Sequence, residues 1–236
     1  MSVEDGQLAL DLPLRTALGR RDFLVAPANR EALAFLDRWP DWPAHAAILQ
    51  APPGAGKSHL AAVWRAHSGA RELRPEKEAI ERLLCGASEA PAWLLEDVDR
   101  RLERDGDSIE ELLFHLLNHL SGRAGALLMT ARAPLAEWRV ELADLVSRLK
   151  ALPQISIAPP DDDLLAAVML KLFADRQLRI DPAVPTYLLG RIERSFAAVV
   201  ELVEVLDRTA LARRRAVTLP LAREVLETWK AKRSAP

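Results

Sequence analysis

Two short segments of the chain combine residue types that bind phosphate and divalent cations. The first, Pro52-Pro53-Gly54-Ala55-Gly56-Lys57-Ser58, lies between an apolar run and a helical run. Glycines let backbone N–H groups turn towards phosphate oxygens, a helix N-terminus adds positive potential, Lys57 reaches the outer phosphates and Ser58 can ligate Mg²⁺. The spacing predicts a phosphate-binding loop, although Ala51 stands where the motif has its first glycine. A glycine-rich turn that binds no nucleotide is the weaker interpretation.

The second segment, Trp93-Leu94-Leu95-Glu96-Asp97, is an apolar run that ends in two carboxylates. In a nucleotide site, one acid at such a strand end binds Mg²⁺, directly or through water, and the next lies beside the attacking water. We therefore predict that Glu96 contacts the metal and that Asp97 acts in catalysis. Paired acids are also common at solvated loop ends, but their distance from the phosphate-binding loop favours the functional interpretation.

Strand and helix patterns alternate through the first two thirds of the chain. Four buried strands are predicted at 46–50, 93–95, 126–129 and 155–157, with a helix at 29–39 before the first strand and a helix at 109–120 between the second and the third. Strands that alternate with helices indicate an α/β fold with a mostly parallel sheet. Beyond Pro159-Pro160 only helical periodicity remains, at 161–173, 182–191, 195–212 and 219–229. We expect an extended arm at 1–22, a nucleotide-binding domain at 23–160 and a helical domain at 161–236.

Composition restricts the class of protein. The 236 residues carry a formal net charge of −2, which argues against a generally basic surface that coats nucleic acid. Cys85 is the only cysteine, so an internal disulfide is excluded and a reducing compartment fits best. The sequence has no basic, apolar leader and no run of about 18 uncharged apolar residues. We expect a cytoplasmic protein that does not contact membranes.

Several further segments resemble the DnaA/Hda family of AAA+ proteins, and the resemblance extends over nearly the whole chain. Residues 23–30 resemble the N-terminal box that lies against adenine, residues 111–118 the helix before sensor 1, and residues 128–134 sensor 1 itself. The family fold is a three-layer AAA+ sandwich followed by a small helical lid. The resemblance implies bound ADP or ATP with Mg²⁺, held by Val25, Asn29, Pro53, Gly54, Ala55, Gly56, Lys57, Ser58, His59 and Thr130, with Ser58 and Glu96 on the metal.

Residues 144–149 are similar to the family segment that contains the arginine finger, which implies that Arg148 acts on the phosphate of a neighbouring subunit. Two departures concern the chain's own site. Ala197 aligns with the lid arginine called sensor 2, and Ala131 follows Thr130 where relatives often have a second polar residue. Because Glu96 also stands where the family usually has an aspartate, and no clear lid arginine is present, we expect weak ATPase activity or none, with ADP as the usual occupant. Whether Arg191 or Arg194 replaces the lid arginine stays open.

The amino-terminal arm contains Gln7-Leu8-Ala9-Leu10-Asp11-Leu12, which resembles peptides that bind the bacterial sliding clamp. A glutamine that bonds a pocket rim and leucines that fill an apolar groove form a reasonable anchor. The residues implied in clamp binding are Gln7, Leu8, Leu10 and Leu12. An edge strand packed on its own domain is the other interpretation of this alternating pattern.

Together these features predict a negative regulator of replication initiation that stimulates hydrolysis of ATP bound to DnaA. Its implied partners are DnaA and the β subunit of DNA polymerase III, with DNA contacted only through this clamp; self-association stays open. An ATP-hydrolysing loader or remodeller of a replication protein is the first alternative. A scaffold that recruits a partner without productive nucleotide binding is the second.

Overall fold

A single parallel sheet organises the first part of the protein. The computed structural model describes residues 24–73, 92–121 and 125–234. Its strands are β1 (Ala46–Gln50), β2 (Arg71–Glu72), β3 (Ala92–Leu95), β4 (Ala126–Ala131) and β5 (Gln154–Ser156). All paired strands run parallel, in the order β2-β3-β4-β1-β5. The carboxyl ends of β1, β3 and β4 therefore meet at one edge of the sheet.

Alternating side chains bury both faces of this sheet. In β1, Ala46 and Ile48 join the core on one face, while Ala47 and Leu49 join the core on the other. Strands β3 and β4 alternate in the same way. Because consecutive side chains of a strand point to opposite faces, the sheet forms the middle layer of three.

Helices cover the two faces. They are α1 (Pro27–Leu36), α2 (Lys57–Ser68), α3 (Val98–Asp105), α4 (Asp107–Ser121) and α5 (Ala143–Ala151). Helices α1 and α2 pack on one face, and α3, α4 and α5 on the other. Pro27 begins α1, where its missing N–H costs nothing, and Gly69 ends α2 with a φ of 70°.

The carboxyl-terminal part consists of four helices around a separate core. They are α6 (Asp162–Asp175), α7 (Ala183–Leu189), α8 (Phe196–Arg213) and α9 (Leu219–Ser234). Asp161 caps α6 by accepting a hydrogen bond from the N–H of Leu164 at 2.8 Å. An isolated parallel bridge joins Ile180 to Val217 within this part. We refer to α6–α9 as the lid.

The predicted α/β fold and helical lid are confirmed, and each of the four predicted strands is present. The structure adds β2, whose two residues are both exposed and carry no apolar signal. The first helix covers 27–36 rather than the predicted 29–39. In the described residues, no helix is both long enough and apolar enough to span a bilayer.

Candidate nucleotide site and a separate arginine surface

The phosphate-binding loop connects β1 to α2, as the sequence predicts. Gly54 and Gly56 have φ angles of 73° and 90°, a region that side-chain-bearing residues seldom adopt. Gly56 is the N-cap of α2, so Lys57 and Ser58 occupy the first turn of that helix. The backbone N–H groups at this turn and the helix dipole favour an anion at the loop.

The lid lies directly against the loop. The N–H of Phe196 donates a hydrogen bond to the carbonyl of Gly54 at 2.7 Å, and Ser195 caps α8 by accepting from Ala198. A Cβ added at Gly54 would lie 2.5 Å from Cβ of Ser195, and one at Gly56 would lie 3.2 Å from the Phe196 ring. Contact with the lid therefore requires glycine at position 54, while at position 56 the φ of 90° and the nearby ring both favour glycine.

Asp97 is bonded to the loop from the adjacent end of β3. Its Oδ1 accepts a hydrogen bond from Nζ of Lys57 at 2.8 Å, and the Lys57 side chain is only 8% exposed. Burial alone would raise the pKa of the Asp97 carboxyl, but the hydrogen bond and charge of Lys57, with the charge of Arg132, hold that pKa below its usual value. Asp97 therefore stays ionised beside the loop at neutral pH.

The backbone of Asp97 is also constrained. Its φ is 52°, in the left-handed region that aspartate tolerates better than most residues. Its N–H donates a hydrogen bond to Oγ1 of Thr130 at 3.0 Å, and Thr130 is fully buried. The structure thus brings Thr130 to the site as a residue that positions Asp97.

Glu96 lies beside this cluster. It lines a neighbouring surface depression together with Asp97, Glu72 and Arg101, and its backbone carbonyl accepts a hydrogen bond from Nε of Arg101 at 2.7 Å. Burial raises the pKa of the Glu96 carboxyl. Of the two acids, Asp97 faces the phosphate-binding loop more directly.

A cavity of about 810 Å³ opens between the loop and the lid. The predicted nucleotide residues that line it are Asn29, Pro53, Gly54, Gly56, Lys57, Ser58 and His59, together with Asp97. The lining does not include Ala55 or Thr130, which are buried, or Val25, which is 52% exposed. Leu24 lines the cavity instead of Val25.

Asn29 holds the chain at the mouth of this cavity. Its Oδ1 accepts a hydrogen bond from the N–H of Ala26 at 2.9 Å, and its Nδ2 donates one to the carbonyl of Leu24 at 2.9 Å. The side chain amide therefore fixes residues 24–26 at the start of α1. Asn29 shapes the cavity wall as well as lining it.

The lid lines the cavity with both apolar and charged side chains. The apolar ones are Phe196, Ala197 and Val200 from α8 and Leu164 and Val168 from α6, and the charged ones include the cations Lys171 and Arg176. The two arginines considered as replacements at Ala197 do not line the cavity. Arg191 stacks on Tyr187 at 4.0 Å, and Arg194 pairs with Asp162 at 2.9 Å.

Sequence reasoning did not identify Arg132, which lines the cavity from the end of β4. Its Nη2 lies 3.4 Å from Oδ2 of Asp97. The buried Asp99 carboxylate accepts hydrogen bonds from the N–H groups of Arg132 and Ala133, both at 2.9 Å. The only sequence signal was the presence of Arg132 in the segment that resembles sensor 1.

Arg148 belongs to a different surface, on α5. Its guanidinium lies over the Phe114 ring at 5.1 Å, and among the described residues no carboxylate forms an ion pair with it. Burial, together with the charge of Arg148, lowers the pKa of His45. Arg148 does not line the cavity between the loop and the lid.

A second buried carboxylate fixes the start of α5. Glu110 accepts hydrogen bonds from the N–H of Glu141 at 2.9 and 3.1 Å and from the N–H of Leu142 at 2.7 Å. Leu142 is the N-cap of α5, so Glu110 also places negative charge at a helix N-terminus. Glu110 was not predicted from the sequence. Its partners are about thirty residues away, so no local pattern identifies it.

Comparison with known proteins agrees with this arrangement. Residues 161–226 match the family model described as "Hda, lid domain". Domain III of DnaA from Thermotoga maritima superposes with a TM-score of 0.75 at 17% identity, covering 92% of this chain and 98% of that one. AMPPCP-bound DnaA from Aquifex aeolicus gives 0.63 at 17% identity, covering 80% of this chain and 63% of that one. A RuvB variant from Thermotoga maritima gives 0.67 at 12% identity, covering 85% and 68%.

The five-stranded parallel sheet, the loop between β1 and α2, and the helical lid define an AAA+ fold. The family match of the lid makes the resemblance more specific. The chain has a DnaA-like AAA+ fold with a lid similar to that of Hda.

The residues predicted to bind the clamp, Gln7, Leu8, Leu10 and Leu12, lie outside the described residues.

Proposed function

We propose that this chain is an Hda-like negative regulator of replication initiation, which binds a nucleotide in its own cavity and promotes hydrolysis of ATP held by DnaA. The single observation that carries the proposal is the exposed guanidinium of Arg148, which pairs with no carboxylate among the described residues and does not line the cavity. Such a cation is suited to a phosphate on another molecule.

Nucleotide binding in the cavity between loop and lid is supported by its lining. Lys57, the glycines and the start of α2 favour the phosphates, while Leu24, Leu164 and Val168 offer apolar contact to a base. A DnaA with a similar fold is described as bound to AMPPCP, an ATP analogue. We propose ADP or ATP as the ligand.

The donor set near the loop fits Mg²⁺. Magnesium prefers oxygen ligands and is usually held by one or two carboxylates together with phosphate oxygens and water. Ser58 and Asp97 line the same cavity, and Glu96, the residue before Asp97, lines the neighbouring depression. We propose that Ser58 and Glu96 hold the metal, directly or through water, and that Asp97 orients the attacking water. Bound Mg²⁺ would neutralise charge on the phosphates.

Arg148 is available to a partner because no carboxylate of the described residues neutralises it. Asp144 lies one helical turn before it, yet the guanidinium lies over Phe114 instead of pairing with that acid. Exposed arginines elsewhere do pair, as Arg65 does with Glu72 and Arg194 with Asp162. An unpaired guanidinium needs no ion pair to be broken before it binds a phosphate.

The proposed partner is DnaA, on the basis of the lid match and the DnaA-like fold. AAA+ proteins with this fold present one subunit's arginine to the neighbour's nucleotide, according to the family resemblance. We propose that Arg148 contacts ATP on DnaA, and that Gln7, Leu8, Leu10 and Leu12 anchor the chain to the sliding clamp. DNA is then approached only through the clamp.

The test is the half-life of ATP on DnaA in the presence of this protein and DNA-loaded clamp. We expect strong acceleration by the wild type, and a loss of about 10³-fold or more of that acceleration in Arg148→Ala. Lys150→Ala is the matched control, because Lys150 is an exposed cation on the same helix. Thermal unfolding verifies that both variants are folded.

Equal acceleration by wild type and Arg148→Ala would reject Arg148 as the finger. No acceleration by the wild type would reject regulation of DnaA. Clamp binding is tested separately by pull-down with Gln7→Ala and Leu8→Ala. Retention of full clamp binding by both variants would place the contact elsewhere.

One observation favours a second function, ATP hydrolysis by the chain itself as a loader or remodeller. Lys57, Asp97 and Thr130 are assembled in one bonded cluster beside the loop. Measurable turnover by the isolated protein, lost in both Lys57→Ala and Asp97→Asn, would support this alternative. Turnover at the background rate would count against it.

A further inference from the structure

The start of α8 is the part of the lid that contacts the phosphate-binding loop. The N–H of Phe196 donates a hydrogen bond to the carbonyl of Gly54 at 2.7 Å, and a Cβ added at Gly54 would lie 2.5 Å from Cβ of Ser195. Phe196 also lines the cavity. The position of Ser195 and Phe196 therefore decides how closely the lid covers this end of the cavity.

Two acids on either side of this contact are bound by one arginine. Glu193 lies two residues before Ser195, in the turn that precedes α8, and Glu201 lies on the second turn of α8. Arg233, in the last turn of α9, donates hydrogen bonds from Nη1 to Glu201 at 2.8 Å and from Nη2 to Glu193 at 3.2 Å. One guanidinium thus bridges the chain across the residues that contact the loop.

Arg233 is itself held against the lid core. Its guanidinium lies over the ring of Trp229, one turn earlier on α9, at 4.8 Å, and Trp229 is buried in that core. The cation–π contact favours one position of the guanidinium. The side chains of Arg233, Glu193 and Glu201 are all exposed, so the bridge can be removed without opening the core.

Glu201 also bears on the ligand directly. It lines the cavity, on the same helix as Phe196 and Val200. A nucleotide is anionic, so a carboxylate without a counterion in this wall would repel it. Arg233 supplies a counterion to Glu201 from outside the cavity, because Arg233 is not part of the cavity lining.

The opposite ends of α8 and α9 carry a comparable ion pair. Arg213, the last residue of α8, pairs with Glu224 near the start of α9, and both side chains are exposed. At 1.5 Å per residue, Arg213 lies about 25 Å along α8 from Phe196. The two sets of ion pairs therefore distinguish attachment of α9 beside the loop from attachment of α9 far from it.

We propose that Arg233 is a positioning residue for the nucleotide site, which holds the start of α8 against the phosphate-binding loop and so slows the release of bound nucleotide. The inference rests on the proposed nucleotide binding. Arg233 acts through Glu193 and Glu201. Without this bridge the turn before α8 and the second turn of α8 are no longer joined, so the lid opens more often and the nucleotide leaves faster.

The experiment is stopped-flow measurement of the dissociation of a fluorescent ADP analogue from the full chain in the presence of Mg²⁺. Exposed ion pairs are individually weak, so for Arg233→Ala we expect dissociation to be about three- to tenfold faster. Arg213→Ala is the matched control, because it removes the exposed pair at the far ends of the same helices and should change the rate by less than about twofold. Glu193→Gln removes one acceptor outside the cavity and should give an intermediate rate.

Three further measurements separate position from stability. The melting temperature should fall by similar small amounts in Arg233→Ala and Arg213→Ala, because each variant loses exposed ion pairs between the same helices. Raising the salt concentration from about 0.1 M to about 1 M should reduce the difference in dissociation rate between wild type and Arg233→Ala, because salt screens exposed charges. Arg233→Lys keeps the charge without the planar fork and should restore the rate only in part.

Equal acceleration by Arg233→Ala and Arg213→Ala would overturn the inference, because general loosening of the lid would then be the cause. An unchanged rate in Arg233→Ala would overturn it as well, and so would a difference that persists undiminished in high salt. If the folded wild type, verified by thermal unfolding, bound no nucleotide, both the inference and the proposed nucleotide site would fall. Faster release in Arg233→Ala, with the far ion pair neutral, is the result that the inference requires.

Discussion

At both Arg132 and Arg148 a buried carboxylate holds the nearby backbone, but the two guanidinium groups contact different kinds of side chain. Asp99 binds the backbone at Arg132, and Glu110 binds the backbone that begins the helix of Arg148. Arg132 then contacts the Asp97 carboxylate, whereas Arg148 lies over the Phe114 ring. The difference is one of charge compensation.

This contrast suggests how one chain keeps an internal site and an external one distinct. A cation inside a partly buried cavity needs a carboxylate nearby when no ligand is present, because an uncompensated charge there is costly. A cation at the surface is compensated by water, so it can be left without an acid and stay ready for a partner's phosphate. An aromatic face steadies it without neutralising it.

The largest effects are expected at the two buried carboxylates, where matched changes should separate the two sites. Glu110→Gln replaces an acceptor of backbone N–H groups with an amide, and should lower the free energy of unfolding by about 1 to 3 kcal/mol. It should also weaken stimulation of DnaA-bound ATP hydrolysis and leave nucleotide affinity unchanged. Asp99→Asn should lower the free energy of unfolding by a similar amount. It should weaken nucleotide affinity and leave the stimulation of DnaA-bound ATP hydrolysis unchanged.

Chemical denaturation, ATP half-life on DnaA and nucleotide titration measure these three quantities for both variants. Each variant serves as the control for the other. If each variant lost both nucleotide affinity and stimulation of DnaA-bound ATP hydrolysis, Arg132 and Arg148 would belong to one coupled site. The distinction between an internal and an external arginine would then be wrong.

A smaller effect is expected at Phe114. Phe114→Leu keeps an apolar side chain but removes the aromatic face, so the guanidinium of Arg148 loses an interaction of about 0.5 to 1 kcal/mol. We expect stimulation of the partner to fall about two- to fivefold, measured as the half-life of ATP on DnaA. Phe114→Tyr retains a face and should be close to wild type. A decrease of similar size in both variants would mean that ring packing, and not the cation–π contact, supports Arg148.

The smallest effect is expected at Glu96, on the cavity side of the comparison. Burial raises the pKa of this carboxyl, so ionisation costs folding stability once the pH rises through that pKa. Glu96→Gln removes the cost, and the melting temperature at pH 7 should rise by about 1 to 2 °C. Below about pH 4 the wild-type carboxyl is protonated and the difference should vanish. A difference that did not depend on pH would show that the gain has another origin.

The sequence was most informative where chemistry depends on neighbouring residues. The phosphate-binding loop needs only the local order of Gly54, Gly56, Lys57 and Ser58 between a strand and a helix, and the structure has that order. The four predicted strands carried strong apolar runs, whereas the two exposed residues of β2 carried none. Local spacing therefore predicted most of the sheet and the loop.

The rest of the site depends on contacts between distant parts of the chain. Asp99 and Arg132 are 33 residues apart, and nothing in either segment alone indicates that a carboxylate holds that turn. The position of Arg148 over Phe114 is equally non-local. Leu24 lines the cavity although the neighbouring Val25 was predicted, because a resemblance identifies a segment more reliably than the side chain that faces inwards.

The hydrogen bond from the N–H of Phe196 to the carbonyl of Gly54 attaches the start of α8 to the phosphate-binding loop, so the helix can rotate about this point. Helix α8 has 18 residues. At 1.5 Å per residue it is a lever of about 27 Å, and a rotation of about 5° at the loop would displace its far end by about 2 Å. That end carries Arg213, which is paired with Glu224 on α9, so the movement would be passed to the last helix of the lid. A sub-ångström adjustment around the phosphates would thus be magnified into a change of surface shape that another protein could detect.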